Sequence, residues 1–132
     1  MHVQRPATWP QTYAEAVALQ NTLRSRVIAE DHLKSVHTVA GLDAGLAADK
    51  THMRGAIALL DFPALGLREQ ALALRAATFP YIPGLLSFRE VPVLLDALEK
   101  LSIVPDLLVC DGQGLAHPRR FGIACHLGVL TG

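Results

Sequence analysis

Cysteine is scarce in this sequence, and so is any excess of charge. Two cysteines, Cys110 and Cys125, lie too far apart for a C-x-x-C metal or redox pair. Both sit among apolar neighbours, so the reading is two reduced, buried thiols of a cytosolic (cytoplasmic) protein. Lys plus Arg equals Asp plus Glu at 12 each, which removes the electrostatic argument that usually marks a nucleic-acid-binding domain. Any such contact must come from a local patch, and residues 112–132 supply one, with His117, Arg119, Arg120 and His126 and no acid. No stretch approaches the ~18 apolar residues of a membrane span. The first ten residues, MHVQRPATWP, lack the apolar stretch of a secretion signal. Hydrophobic residues nevertheless make up 51% of the 132, enough for one packed domain over residues 1–132.

The apolar residues are patterned. Residues 1–10 hold two prolines and read as an extended arm. Ala16, Leu19, Leu23 and Val27 recur at helical spacing, predicting a helix over 11–34. Residues 38–47 and 54–62 read as strands, and Pro63 and Gly66 mark the turn after them. Residues 67–79 are ambiguous. Ala, Leu, Glu, Gln and Arg favour helix, but alternation and a hairpin-length connection favour a third strand, which is the reading adopted. Residues 80–89 form a Pro/Gly loop, followed by a helix over 90–102 with Pro92 in its first turn and Leu94, Leu95, Leu98 and Leu101 on its apolar face. A short buried strand, 106–110, leads into Asp111, a Gly-rich turn and a last helix over 118–130. Three antiparallel strands, a crossover helix, a parallel strand and a C-terminal helix make the opening half of an RNase H-like α/β fold.

Three carboxylates stand out against this background. Asp43 lies within an apolar strand, Asp111 ends another, and Glu90 begins a helix. A carboxylate in apolar surroundings needs a partner or must neutralise. If the two strands are neighbours, the three acids converge and offer the hard oxygen ligands that Mg²⁺ takes, for metal-assisted phosphodiester hydrolysis. The blander alternatives stay open: Asp43 as a turn residue between Gly41 and Gly45, Glu90 as a charge at a helix N-terminus, Asp111-Gly112 as a turn dipeptide. Asp61, Asp96 and Asp106 read as structural, and His2, His32, His37 and His52 as solvated. His126 reads as a structural residue of the last helix. His117, beside Pro118 and two arginines, fits either a phosphate contact or a solvated turn. Residues 80–84, PYIPG, fit a stiff surface loop or an apolar wedge for a nucleic-acid groove.

Residues 79–90, FPYIPGLLSFRE, together with 111–130, DGQGLAHPRRFGIACHLGVL, and the triplet Gly41-Leu42-Asp43, resemble the signature blocks of the endonuclease V family over about residues 20–132. The resemblance implies a Mg²⁺-dependent DNA repair nuclease, with Mn²⁺ as substitute metal. It would act on DNA containing deaminated bases and cut at the second phosphodiester 3′ of deoxyinosine. Single-stranded nucleic acid or RNA are alternative substrates. It implies that Asp43, Glu90 and Asp111 are the catalytic, metal-binding acids. Pro80, Tyr81, Ile82 and Pro83 would form a strand-parting wedge. Gly84, Gly112 and Gly114 would shape a pocket for a flipped base. Arg89, His117 and Arg119 would contact the DNA backbone or steady the site. Family members continue beyond this chain's last motif with a further strand, a lysine near the scissile phosphate and later helices, whereas Lys34, Lys50 and Lys100 all precede that motif. The expectation is therefore a domain incomplete at its C-terminus, weak in nicking or reduced to binding nucleic acid. It would self-associate to cover an open sheet edge and an apolar face over residues 121–130.

Overall fold

The computed structural model describes residues 3–132, so His2 lies outside the described residues. Its elements run α1 (Tyr13–Leu23), a 3-10 turn (Arg24–Arg26), β1 (Thr38–Leu46), β2 (His52–Asp61), β3 (Leu67–Ala76), α2 (Ser87–Leu98), β4 (Leu107–Cys110) and α3 (Ile123–Thr131). The strands form one sheet in the order β3-β2-β1-β4. β1 pairs antiparallel with β2 and parallel with β4, and β2 pairs antiparallel with β3. This is the expected RNase H-like α/β arrangement, and 67–79 resolves as a strand.

The helices differ from expectation in their bounds. Thr12 caps α1 by accepting from the Glu15 N–H, but the helix stops near residue 26 rather than 34. The β-branched pair Val27-Ile28 disfavours helix, Ile28 has nothing to pack on at 69% exposure, and Asp31 turns the chain by accepting from the Leu33 N–H. α2 starts three residues early, because Leu85 and Leu86 already accept the first helical bonds. Pro92 consequently lies inside the helix instead of its first turn. α3 starts late, because Arg120 adopts a left-handed φ of 54° that no helix contains.

α2 lies across one face of the sheet. Met53, Gly55, Ile57 and Leu59 of β2, with Ala71 and Ala73 of β3, are buried on that side, where the core also holds Val91, Val93, Leu94 and Leu95. The helix comes so close that a Cβ on Gly55 would meet the Val93 carbonyl oxygen at 2.9 Å. This explains why β3 turns alanines toward the helix and leaves Leu72 and Leu74 at 63% and 60% exposure on the far face. That far face is a shallow hollow of about 870 Å³ bordered by Gly41, Asp43, Ala56, Leu72, Val109 and Asp111.

Two expectations change here. The apolar residues of 121–130 are not left bare: Phe121, Ile123, Leu127, Val129 and Leu130 are all buried. α1 residues pack on that side, and the N-terminal arm ties down through the Gln4 N–H to the Leu130 carbonyl at 2.7 Å. The exposed apolar surface is the far sheet face instead. The thiols of Cys110 and Cys125 are free but only half-buried, because they sit at the rim where β4 meets α3.

His126 of α3 is fully enclosed beside Trp9, Phe88 and Phe121, and its Nδ1 lies 2.9 Å from the Ser87 hydroxyl. Burial pulls its pKa down to about 4. The unfolded chain then binds the extra proton between the ordinary value and 4, so stability is whole above pH 6.5 and is lost as pH falls toward 4. The expected loss is about 3 kcal/mol at full protonation. Urea melts at pH 7 and pH 4.5 should show it, and His126→Gln should flatten that part of the pH dependence.

Candidate metal and nucleic-acid site

The parallel ladder of β1 and β4 positions two of the three acids. Leu42 faces Cys110 in the last pair of that register, and Asp43 and Asp111 each follow directly in the chain. Leu42 and Cys110 pack toward the core under α2, and alternation sends Asp43 and Asp111 to the far side, where both border the open hollow. The register itself is tied down at the other end. The Asp106 carboxylate accepts from the His37 and Thr38 backbone N–H groups at 2.8 and 3.1 Å, and the Asp106 N–H donates to the Thr38 hydroxyl. Those bonds hold the Asp106 carboxyl below its ordinary range.

Glu90 sits in the first turn of α2, half-buried. Burial raises its pKa first, and the charges of Asp43 and Asp111 raise it further, while Arg89 opposes them. The three acids therefore share one electrostatic environment. Among the described residues none of them has an ion-pair partner, in contrast to Asp96, which holds Arg5 and Arg75, and Asp61, which pairs with Arg68. They do not close on one another: among the described residues no three His, Cys, Asp or Glu side chains stand close enough to hold a metal as they are. The expected convergence on one ion is thus a shared neighbourhood rather than a finished ligand cage. Like charges without a counterion have a physical reason to stand apart. The donor chemistry still fits a hard divalent cation, with three carboxylates and no cation already answering them.

A cleft of about 420 Å³ joins the acids to the proline loop. Glu90 and Asp111 line it together with Tyr81, Pro83, Gly84, Gly112, His117 and Pro118. Ser87, Gln113, Gly122 and Ile123 also line it, and the sequence reading had not singled them out. All four lie inside the signature blocks at 79–90 and 111–130, but their residue types alone do not mark them as lining, and the packing does.

The other candidates lie around this cleft. Tyr81 is 68% exposed and Pro80 is exposed beside it, whereas Ile82 turns back onto Phe79, Leu85 and Phe88. Gly114 sits behind the cleft against Ala124 and Cys125. Arg89 is half-buried next to Glu90 in the chain. Arg119 points to the loop, with its Nη2 3.3 Å from the Gly84 carbonyl oxygen. His117 is not a free turn histidine. Its Nδ1 accepts from the backbone N–H of Arg119 and Phe121 at 3.0 and 3.3 Å, so Nε2 carries the proton and donates to the Gly84 carbonyl at 2.7 Å.

Comparison with known proteins agrees with the geometry. The family model for endonuclease V matches residues 21–132. Endonuclease V of Nostoc punctiforme is 54% identical over 131 residues, 98% of this chain and 59% of that protein. The crystal structure of endonuclease V from Streptomyces avermitilis superposes with a TM-score of 0.88 at 45% identity, covering 98% of this chain and 58% of that one. The Ciona intestinalis endonuclease V, solved with a 24mer DNA containing an inosine followed by a ribo-adenosine, superposes with a TM-score of 0.81 at 28% identity over 89% of this chain and 53% of that one. The chain thus spans a little over half the length of these relatives.

The raised Glu90 carboxyl has a measurable consequence. The folded state holds that proton more tightly than the unfolded state, so the group costs stability as pH rises past its ordinary value of 4.5. Glu90→Gln should raise the melting temperature by a few degrees at pH 7, and the gain should vanish at pH 4. A variant no more stable than wild type at pH 7 would show that Glu90 is not under charge stress.

Proposed function

The chain belongs to the endonuclease V family, and we propose that residues 1–132 form one domain carrying the acid cleft of an endodeoxyribonuclease for DNA with deaminated bases, deoxyinosine among them. One observation carries this reading: Glu90 and Asp111 line the same cleft as Tyr81 and Gly84, and Asp111 also borders the hollow that Asp43 lines. A base held by the loop would place its own strand's phosphates near the acids.

In this proposal Asp43, Glu90 and Asp111 hold Mg²⁺, with Mn²⁺ able to replace it. When bound, the metal supplies positive charge to a phosphodiester and lowers the pKa of an attacking water. The chain's own residues do the rest. Pro80 and Pro83 stiffen the loop, so Tyr81 is presented as a rigid aromatic edge able to part a base step. Gly84, Gly112, Gln113 and Ile123 enclose the space a flipped base would enter, and Gly114 supports that turn from behind. His117 and Arg119 steady the loop through the Gly84 carbonyl, the role their hydrogen bonds support over direct phosphate contact. Arg89 is left to meet backbone phosphate.

A second reading, binding without cleavage, draws on one feature. The cleft lining contains no lysine, and Lys100 is spent on the Leu72 carbonyl at 2.6 Å. Phosphoryl transfer gains ~100-fold or more from a positive group where charge develops. The reading also places the protein in the cytoplasm. Among the described residues no helix is long and apolar enough to cross a membrane.

Among the described residues β4 has a partner on one side only, and Val109 of this edge strand is 53% exposed. A second copy of this chain is the proposed cover. Light scattering should report a dimer, and a monomer at every concentration tested would exclude it.

The deciding experiment is a nicking assay on a duplex with one deoxyinosine, with and without Mg²⁺. Metal-dependent cleavage beside the deoxyinosine, weak at most, is expected. Metal-independent binding without cleavage would select the second reading, and no preference for the deoxyinosine duplex would sink both. Tyr81→Ala should weaken binding severalfold while shifting folding stability by no more than ~0.5 kcal/mol, as is usual for an exposed side chain.

A further inference from the structure

The loop that bears Tyr81 is held from behind by a residue outside every motif named so far. Gly84 ends the loop with a φ of 84°, and its carbonyl oxygen accepts three N–H donors. His117 Nε2 and Arg119 Nη2 come from the turn before α3, at 2.7 and 3.3 Å. The third is Gln20 Nε2, from the middle of α1, at 2.8 Å. The other end of the same amide, Gln20 Oε1, accepts from Arg119 Nε. Gln20 is completely buried, and both ends of its amide are used. This double use fixes the amide's orientation, with oxygen toward the guanidinium and nitrogen toward Gly84.

A buried amide that bridges two elements is costly to disturb, because each lost bond leaves a polar group unsatisfied. Tyr81 itself is mostly exposed, so its position depends on the loop's anchors. One anchor is apolar, Phe79 and Ile82 against Leu85 and Phe88. The other is the Gly84 carbonyl. Pro80 and Pro83 fix φ inside the loop, which leaves these two anchors to set its placement.

We propose that Gln20 is a positioning residue for the strand-parting loop: by bridging Gly84 and Arg119 it sets where Tyr81 stands at the mouth of the cleft. The consequence for DNA rests on the nuclease reading above, whereas the mechanical claim does not. Gln20 touches neither the acids nor the cleft, so its loss should blur the placement of Tyr81 without removing the binding surface.

The test uses the full 132-residue chain and two variants. Gln20→Leu deletes both bonds. Gln20→Glu keeps the size and the Arg119 contact but sets a carboxylate oxygen against the Gly84 carbonyl. Hydrogen exchange at residues 84–86 should speed up about tenfold in both, with β1–β3 unchanged, because the opening is local. A deoxyinosine duplex with 2-aminopurine next to the deoxyinosine reads the parting of bases. Its brightening should fall severalfold in both variants while overall affinity changes less than twofold, and Tyr81→Ala added to Gln20→Glu should lower the brightening no further than Tyr81→Ala alone. Unchanged exchange at 84–86, an equal rise across the whole sheet, or wild-type exchange in Gln20→Glu would overturn the proposal. So would full brightening despite a loosened loop. If the wild-type chain brightens nothing and Tyr81→Ala changes no binding, the nuclease reading has failed, and the exchange measurements alone still decide whether Gln20 holds the loop.

Discussion

The Asp106 carboxylate accepts from the backbone N–H groups of His37 and Thr38, and with the Thr38 hydroxyl it clasps the start of β4 to the start of β1. β4 is only four residues long, so it has little ladder of its own to select a register. A slip of one residue would turn Asp111 to the opposite face from Asp43. The clasp thus helps decide, from the far end of the strands, whether two acids separated by about half the chain come to the same end of the ladder. An aspartate that reads as an ordinary strand-start residue does the aligning.

From that alignment follows an unusual local charge. Asp43, Glu90 and Asp111 stand in one neighbourhood with no ion-pair partner among the described residues, and the Glu90 carboxyl is raised first by burial and then by the charges of Asp43 and Asp111. Several acids elsewhere are answered by ion pairs: Asp96 with Arg5 and Arg75, Asp49 with His52. Three carboxylates in one neighbourhood with no ion-pair partner among the described residues concentrate uncompensated negative charge there. Glu90 and Asp111 also line the cleft that the proline loop borders, so charge and shape meet there.

The loop side shows a different economy. The Gly84 carbonyl collects Gln20, His117 and Arg119, and each of the three is tied again elsewhere. His117 is fixed in one tautomer by two backbone N–H groups, and Arg119 by the buried Gln20 amide. Residues whose charge suggests direct contact with a phosphate thereby serve as struts. Arg89, half-buried beside Glu90, is the candidate that remains for meeting the substrate.

Much of this was legible in the residues alone. Alternation and turn residues located all four strands within a few positions, because a pleated strand repeats every two residues and the repeat survives in a short window. The signature blocks carried the family and pointed to Asp43, Tyr81, Glu90 and Asp111. Helix ends were less readable: α1 stops where Ile28 finds no surface to pack on, and α3 waits for Arg120 to leave a left-handed turn. The exposed leucines of β3 could not be foreseen either, since they follow from how closely α2 crowds Gly55. Sequence by itself determined which residue types are available and the period at which they recur, because those are properties of neighbours along the chain. Only the tertiary structure decided that Gln20 reaches Gly84, that Asp106 sets the register, and that Ser87 and Gln113 border the cleft, because each depends on contacts between segments whose spacing in sequence says nothing about their distance in space.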